Sequence, residues 1–458
     1  MSRKPYDKLA YSEDREVVFG YSKNVLRYGL GLEVGSGRVI PEIKYFPKPN
    51  VLKKGEEAVK AYRDITSRLL ERALRLGMDY LQLETELPGA VTSNPKLCSE
   101  IVSEQKALME EFHDKYDTNL ALRVTIADIR NFSDEREFEE GYSAILEAFK
   151  TSAESGADVL SIESFGGKEV FSQAVVRGDL AGIIFATGIL ASLDVERLWT
   201  DIGREVGNRA LLGGDSACAH ANSAMVLADG FSRRLIPHVL AAVIRAISAV
   251  RTLVSFECGA RGPGKDCAYE NVIIKIITGA PISILGKSSA CAHTSLIGNI
   301  TMATCDLWSN ESIEDVKLFG GSGPEVCLEI LYYDTLLLNT AIRMDDLRVL
   351  KRLIVNSELY RDPQTFILAP RIAFKLAESI VAKRNYFARA LNVAKTAVEL
   401  LKTYSAKLAL PRFEERYLKK FSKELEALEK VEEEKFIKEM VSKYSRLAPT
   451  FNPKLYDI

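Results

Sequence analysis

The chain has 458 residues, 27% of them charged, and its 61 Lys and Arg against 63 Asp and Glu leave a formal net charge of −2. With no basic stripe, that balance argues against nucleic acid as the main partner. No uncharged apolar run is long enough to span a bilayer, and the N-terminal run MSRKPYDKLAYSEDRE is too charged for a secretory signal. Seven cysteines in so long a chain, an odd number, read as reduced thiols of a cytoplasmic protein rather than a disulfide framework.

Residues 1–50 are rich in Gly, Tyr and charge, and their GSGRVIPEIKYFPKP tract reads as an extended N-terminal extension wrapped on the surface. From 51 to 345 apolar, β-rich runs alternate with helical patterns, the signature of repeated βα units. The predicted strands are MDYLQLETEL near 78, TNLALRVTIAD near 118, ADVLSIESF near 157 and LAGIIFATGIL near 180. They continue with NRALLGGDS near 208, TLVSFECGA near 252, PISILGKSS near 281 and KLFGGSG near 317. Eight strands with intervening helices predict a TIM barrel, whose functional groups lie at the C-terminal ends of the strands. At 458 residues the chain exceeds the roughly 250 of a typical barrel. The surplus falls in the extension at 1–50 and in a strongly helical C-terminal extension, 346–458. The last run of that extension carries i,i+4 Glu–Lys spacings that suit a solvated helix.

Three residues stand where predicted strands hand over to loops: Glu163 in SIESFGGKEV, Cys218 in GGDSACAHAN and Cys267 in GARGPGKDCAYEN. Two soft thiolates and one hard carboxylate suit zinc, and three protein ligands leave one tetrahedral position open for chemistry. Asp215 and Asp266 lie beside the cysteines and read as residues that orient ligands, while Lys168 and Lys265 could offset the negative charge. Strand alternation in MDYLQLETEL turns Leu81, Leu83 and Leu87 toward helices and Tyr80, Gln82, Glu84 and Glu86 into the barrel. Inward carboxylates are costly unless paired or functional, so Glu84 and Glu86 are candidate acids. Glu86 is the nearer to the strand end. A structural pair between Glu84 and the inward Arg123 is the bland alternative.

His293, after the seventh predicted strand, could line the mouth or move a proton. His220 could do the same or simply pack. The remaining cysteines, at 98, 258, 291, 305 and 327, read as structural. GLEVGSG near 31 lacks the strand–turn–helix context of a dinucleotide site. FGGSGPE near 319 is read as a turn, with phosphate binding the minor alternative.

The runs SIESFGGKEVF, GDSACAHAN and GPGKDCAYEN resemble the metal-binding motifs of the zinc subunit of methanol:corrinoid methyltransferase. The resemblance spans nearly the whole chain through LETEL, SSACAH, DLWSNES and YRDPQ. It implies one zinc per chain held by Glu163, Cys218 and Cys267. It also implies transfer of the methyl group of methanol to Co(I) of a corrinoid. The corrinoid would be carried by a separate partner protein, since no DxHxxG-type run is present, and the working form would be a hetero-oligomer. The chain departs from the family pattern at His220, where Gln is expected. Another small alcohol or a methoxylated compound is the alternative donor. The rival classes are a zinc hydrolase, for which no HxH pair exists, and a binding protein without turnover.

Overall fold

The computed structural model describes residues 3–52, 55–229 and 234–458. Seven parallel strands form one curled sheet: β3 (Ile40–Phe46), β4 (Tyr80–Leu87), β5 (Asn119–Ile126), β6 (Val159–Ile162), β7 (Leu211–Asp215), β8 (Ser283–Leu285) and β9 (Leu307–Ile313). Their spatial order is β7-β6-β5-β4-β3-β9-β8. The gap between β7 and β8 is filled by residues 261–266. Arg261 N and Gly262 N donate to Leu212 O of β7, while Gly264 N donates to Pro281 O and Leu285 N to Asp266 O on the β8 side. This segment is the eighth stave of the barrel. It cannot be a regular strand, because Pro263 lacks an N–H and Gly262 sits at φ +91°, where a side chain would be strained.

Helices follow the strands around the outside, among them Glu56–Arg75, Pro95–Tyr116, Glu135–Glu154, Ala191–Val206, His238–Glu257 and Gly323–Arg343. Their apolar stripes cover the outward residues of the sheet, including Leu81, Leu83 and Leu87, all buried. At the opposite end a hairpin of β1 (Tyr21–Tyr28) and β2 (Leu32–Ser36) closes the floor. Leu30 exchanges backbone hydrogen bonds with Leu120, and Leu32, Val34, Ile40, Ala121 and Leu307 form a small separate core there.

Four sequence expectations change. LAGIIFATGIL is a helix that passes into the π-helical turn Ile184–Leu190, and TLVSFECGA is the end of the helix His238–Glu257. Both are buried all round, so neither shows the one-sided period that marks a helix, and their β-branched residues mimic a buried strand. KLFGGSG forms only a two-residue-per-strand hairpin ahead of the helix Gly323–Arg343. The strands that complete the barrel are β3 and β9. The first lies within the stretch read as an N-terminal extension, so residues 40–46 belong to the barrel.

Beyond 346 the chain is helical through Leu347–Glu358, Pro370–Val381, Tyr386–Thr403, Arg412–Leu428 and Glu433–Leu447. Tyr386–Thr403 packs on His238–Glu257 and on Ile184–Leu190, which is why those two segments see no solvent. By length and composition His238–Glu257 could cross a membrane, but here it is a core helix enclosed by protein. Arg389 and Arg3 both pair with Glu257, at 2.7 and 2.6 Å, and so tie the helix Tyr386–Thr403 and the N-terminal segment to this helix.

Candidate metal centre at the barrel mouth

Glu163 follows β6, Cys218 opens the turn after β7, and Cys267 follows the irregular eighth stave. The barrel therefore delivers all three to one rim, where their ligand atoms lie within 4.8 Å of one another. Cys267 Sγ is 2.7 Å from Glu163 Oε1. Burial, the hydrogen bond with Cys218 and the anions Asp266, Cys218 and Glu163 all push the Cys267 thiol well up. Two sulfurs and a carboxylate crowded in this way fit a divalent cation of borderline softness, which would displace the proton that the crowding retains.

The turns that carry the three are fixed from outside. Asp215, at the end of β7, accepts hydrogen bonds from Ser164 N (3.0 Å) and Ser164 Oγ (2.8 Å), from Trp199 Nε1 (3.0 Å) and from Arg251 Nη2 (2.7 Å). One carboxylate thus locks the residue after Glu163 to the strand that leads to Cys218. Asn222 Nδ2 reaches both cysteine loops, with Cys218 Sγ at 3.5 Å and Cys267 O at 3.4 Å. Gly167, in the Glu163 loop, has φ +78° and lies so close to Ala186 O that a Cβ would sit 2.4 Å away. Its N–H donates to the hydroxyl of Tyr456 at 2.8 Å, and that hydroxyl donates to Glu169 Oε1 at 2.6 Å. Tyr456, near the C-terminal end of the chain, therefore buttresses the Glu163 loop.

Two buried lysines face the ligands. Lys44 Nζ, on β3, lies 3.2 Å from Glu163 Oε1, 3.3 Å from Cys267 Sγ, 3.3 Å from Glu86 Oε2 and 3.8 Å from Glu311 Oε2. Lys265 Nζ lies 2.6 Å from Glu84 Oε1, 3.3 Å from Glu163 Oε1 and 3.7 Å from Cys267 Sγ, and it also pairs with Asp266. Burial opposes both charges, yet the surrounding anions outweigh it and hold both lysines well above the ordinary range. Burial would likewise raise Glu163, but Lys44 and Lys265 draw it down to about 2.

Glu84 is fully buried one layer below the rim. It accepts from Thr125 Oγ1 and Lys265 Nζ, both at 2.6 Å, and burial with nearby Asp266 raises it to about 8. Arg123 is its cross-strand neighbour, but the guanidinium pairs with Glu42 at 3.1 Å instead. Glu42, Glu84 and Asp266 also lie close enough together to hold a metal, but Arg123 and Lys265 already fill that role. Glu86 sits one step higher, beside Lys44. Burial together with Glu163 and Glu311 raises its pKa against the pull of Lys44. His293 caps the short helix Lys287–Ala292 after β8, half-buried, with Nδ1 facing Ser289 Oγ at 3.5 Å rather than the ligand set.

His220 is completely buried against Phe171, with 4.7 Å between ring centroids, and burial with Lys168 and Arg251 nearby holds it neutral. Lys168 donates to Ser223 Oγ at 2.8 Å and braces the Cys218 turn instead of facing the ligands. None of the five remaining cysteines joins a metal-competent group among the described residues.

Sequence reasoning missed Lys44, Glu311 and Asn222. Lys44 and Glu311 stand side by side in the β3–β9 register, on the two strands that were not recognised. Alternation in IPEIKYF would have turned Glu42 and Lys44 inward had that run been read as a strand. Asn222 carried a signal in its spacing, one helical turn beyond Cys218.

A family model described as methanol-cobalamin methyltransferase B subunit matches residues 3–457. Methanol–corrinoid protein co-methyltransferase of Methanosarcina barkeri is 42% identical over 463 residues, covering 100% of both chains. A chain in the crystal structure of the methanol:cobalamin methyltransferase complex MtaBC from the same organism superposes with a TM-score of 0.95 at 41% identity, covering 99% of this chain and 100% of that one. On a match that runs from end to end, this chain belongs to the methanol-cobalamin methyltransferase B subunit family.

Proposed function

We propose that this protein transfers the methyl group of methanol to Co(I) of a corrinoid held by a separate protein, using zinc bound by Glu163, Cys218 and Cys267. The observation that carries the reading is the convergence of those three donors at the mouth of a barrel whose whole length matches a methanol–corrinoid methyltransferase. In the net reaction the C–O bond of methanol breaks, a C–Co bond forms with the electron pair of Co(I), and the leaving oxygen takes a proton to depart as water.

Zinc, when bound, supplies Lewis acidity at the alcohol oxygen. Three anionic donors make that acidity moderate, which suits an alcohol that keeps its proton and leaves as water. The chain's own residues do the rest. Glu86 is the carboxyl group best placed to hold a proton for the leaving oxygen, because it stands beside the rim with a raised pKa. Asp215 and Asn222 keep the ligand loops in register, so that the methyl group can be oriented toward the opening. Glu84 serves the site from below by anchoring Lys265, and His293 lines the mouth.

The partner would dock over the same rim. Phe165 after β6, Leu296 after β8 and Phe319 at the tip of the hairpin after β9 are large apolar residues exposed at this end, and Phe319 is fully exposed. The metal assignment is tested by zinc content. Cys218→Ala and Cys267→Ala are each expected to lose most zinc with an unchanged circular dichroism spectrum, and full zinc content in both would refute the assignment.

A further inference from the structure

We propose that Lys44 keeps the metal's fourth coordination position open for the alcohol by holding Glu86 and Glu311 away from it; this rests on the metal reading above. Its ammonium group is almost wholly enclosed, with 2% of the side chain exposed, and it touches groups from four different parts of the barrel wall. Two of them, Glu163 Oε1 and Cys267 Sγ, are ligand atoms of the proposed site. The other two, Glu86 Oε2 and Glu311 Oε2, are carboxylate oxygens that belong to no ligand set. A single nitrogen therefore stands between the ligands and two further oxygen donors.

The geometry makes the hazard concrete. Glu86 Oε2 and both ligand atoms lie within 3.3 Å of the same ammonium nitrogen, so without that nitrogen the Glu86 carboxylate stands next to the ligand atoms with no cation to hold it. A divalent cation with two sulfurs and one oxygen readily takes a fourth oxygen donor, and four protein ligands make a closed, structural site. An ammonium group suits the task of preventing this. It is a compact point charge with three N–H donors that can be shared among several acceptors, and it cannot itself ligate while protonated. Lys265 also touches Glu163 and Cys267, but its other partners are Glu84 and Asp266, and it forms no ion pair with Glu86 or Glu311. Lys44 is thus a positioning residue that acts through two carboxylates.

The test uses the full-length protein loaded with Co(II) in place of zinc, read by its visible absorption. The wild-type spectrum is expected to change when methanol is added, because the fourth position is exchangeable. In Lys44→Met the Co(II) spectrum should already differ before methanol is added, and the methanol response should be lost. In the double variant Lys44→Met/Glu86→Gln, where the intruding carboxylate is removed, the response should return at least in part. Lys44→Gln serves as a second variant should Lys44→Met fold poorly, and the same loss is expected. A full methanol response in the folded Lys44 variants overturns the proposal, as does a lost response that removing both carboxylates, by Glu86→Gln with Glu311→Gln, does not restore. Wild-type protein that shows no thiolate-to-Co(II) charge-transfer absorption would contradict the underlying metal reading instead, so the two failures are distinguishable.

Discussion

Two regions of this molecule exclude water equally and do so with opposite chemistry. Along the helix His238–Glu257, Leu240, Val243, Ile247, Val250, Leu253 and Val254 form a fully buried apolar stretch, while Arg251 and Glu257 of the same helix are tied off by ion pairs with Asp215, Arg3 and Arg389. Inside the barrel the buried side chains are Glu42, Lys44, Gln82, Glu84, Arg123, Lys265 and Asp266, joined by hydrogen bonds and ion pairs. The apolar contacts are non-directional, so none depends on one particular partner. In the barrel interior each charge does depend on a particular partner. Both regions stabilise the fold, and the second also places the candidate ligands.

Removing one charge should break this division most visibly. Lys265→Met strands Glu84 and Asp266 in the barrel, and a loss of about 3–5 kcal/mol is expected from a broken buried ion pair. Leu253→Ala on the flank should cost a similar amount, about 2–5 kcal/mol, through its cavity. Chemical denaturation and zinc titration together separate the two. Leu253→Ala should keep wild-type zinc affinity in the folded state, whereas Lys265→Met should not. Equal zinc affinity in both would mean that the barrel charges do not position the site.

Glu86→Gln sharpens the comparison within the barrel, since it keeps shape and removes an acid. A fall in kcat of about 10²-fold is expected for a lost general acid, with zinc content unchanged. Unaltered kcat in steady-state assays would remove Glu86 from the proton path.

The Tyr456 buttress of the Glu163 loop offers a pH test. Burial raises Glu169 to about 7 from an ordinary carboxyl value near 4.5, although the Tyr456 hydrogen bond opposes the shift. A raised acid favours the folded state fully below the unfolded value, and this contribution is lost as pH rises through the folded one. Between pH 4.5 and 7 the loss should be on the order of 2–3 kcal/mol. Glu169→Gln should flatten that part of the stability profile, and an equally steep profile in the variant would assign the slope elsewhere. The smallest effect is expected at the surface. Phe319→Ser should leave zinc and fold untouched and weaken binding of the corrinoid protein by about 1–3 kcal/mol, readable by calorimetry.

What could be read from sequence follows the same division. Glu163, Cys218 and Cys267 were legible because each lies in a distinctive polar run at the end of a stave, and Glu84 and Glu86 because β4 alternates cleanly. The helix ending at Glu257 and the turn Ile184–Leu190 were illegible as helices. Their enclosure comes from Tyr386–Thr403, some 130–200 residues away, and no local period records it. The first and last regular strands were hidden for the reverse reason. IPEIKYF and LWSNESI carry polar residues on their inward faces, where a barrel normally places Val, Ile and Leu. Lys44 and Glu311 were lost with them.

Methyl transfer at the three-ligand rim is open to direct observation. The decisive measurement is anaerobic absorption spectroscopy of the zinc-loaded protein mixed with a reduced corrinoid protein and methanol. Loss of the Co(I) band with stoichiometric appearance of methyl-Co(III) is expected for the wild type, and no change for Cys218→Ala/Cys267→Ala. A silent wild type, or an equal rate in the double variant, would contradict it.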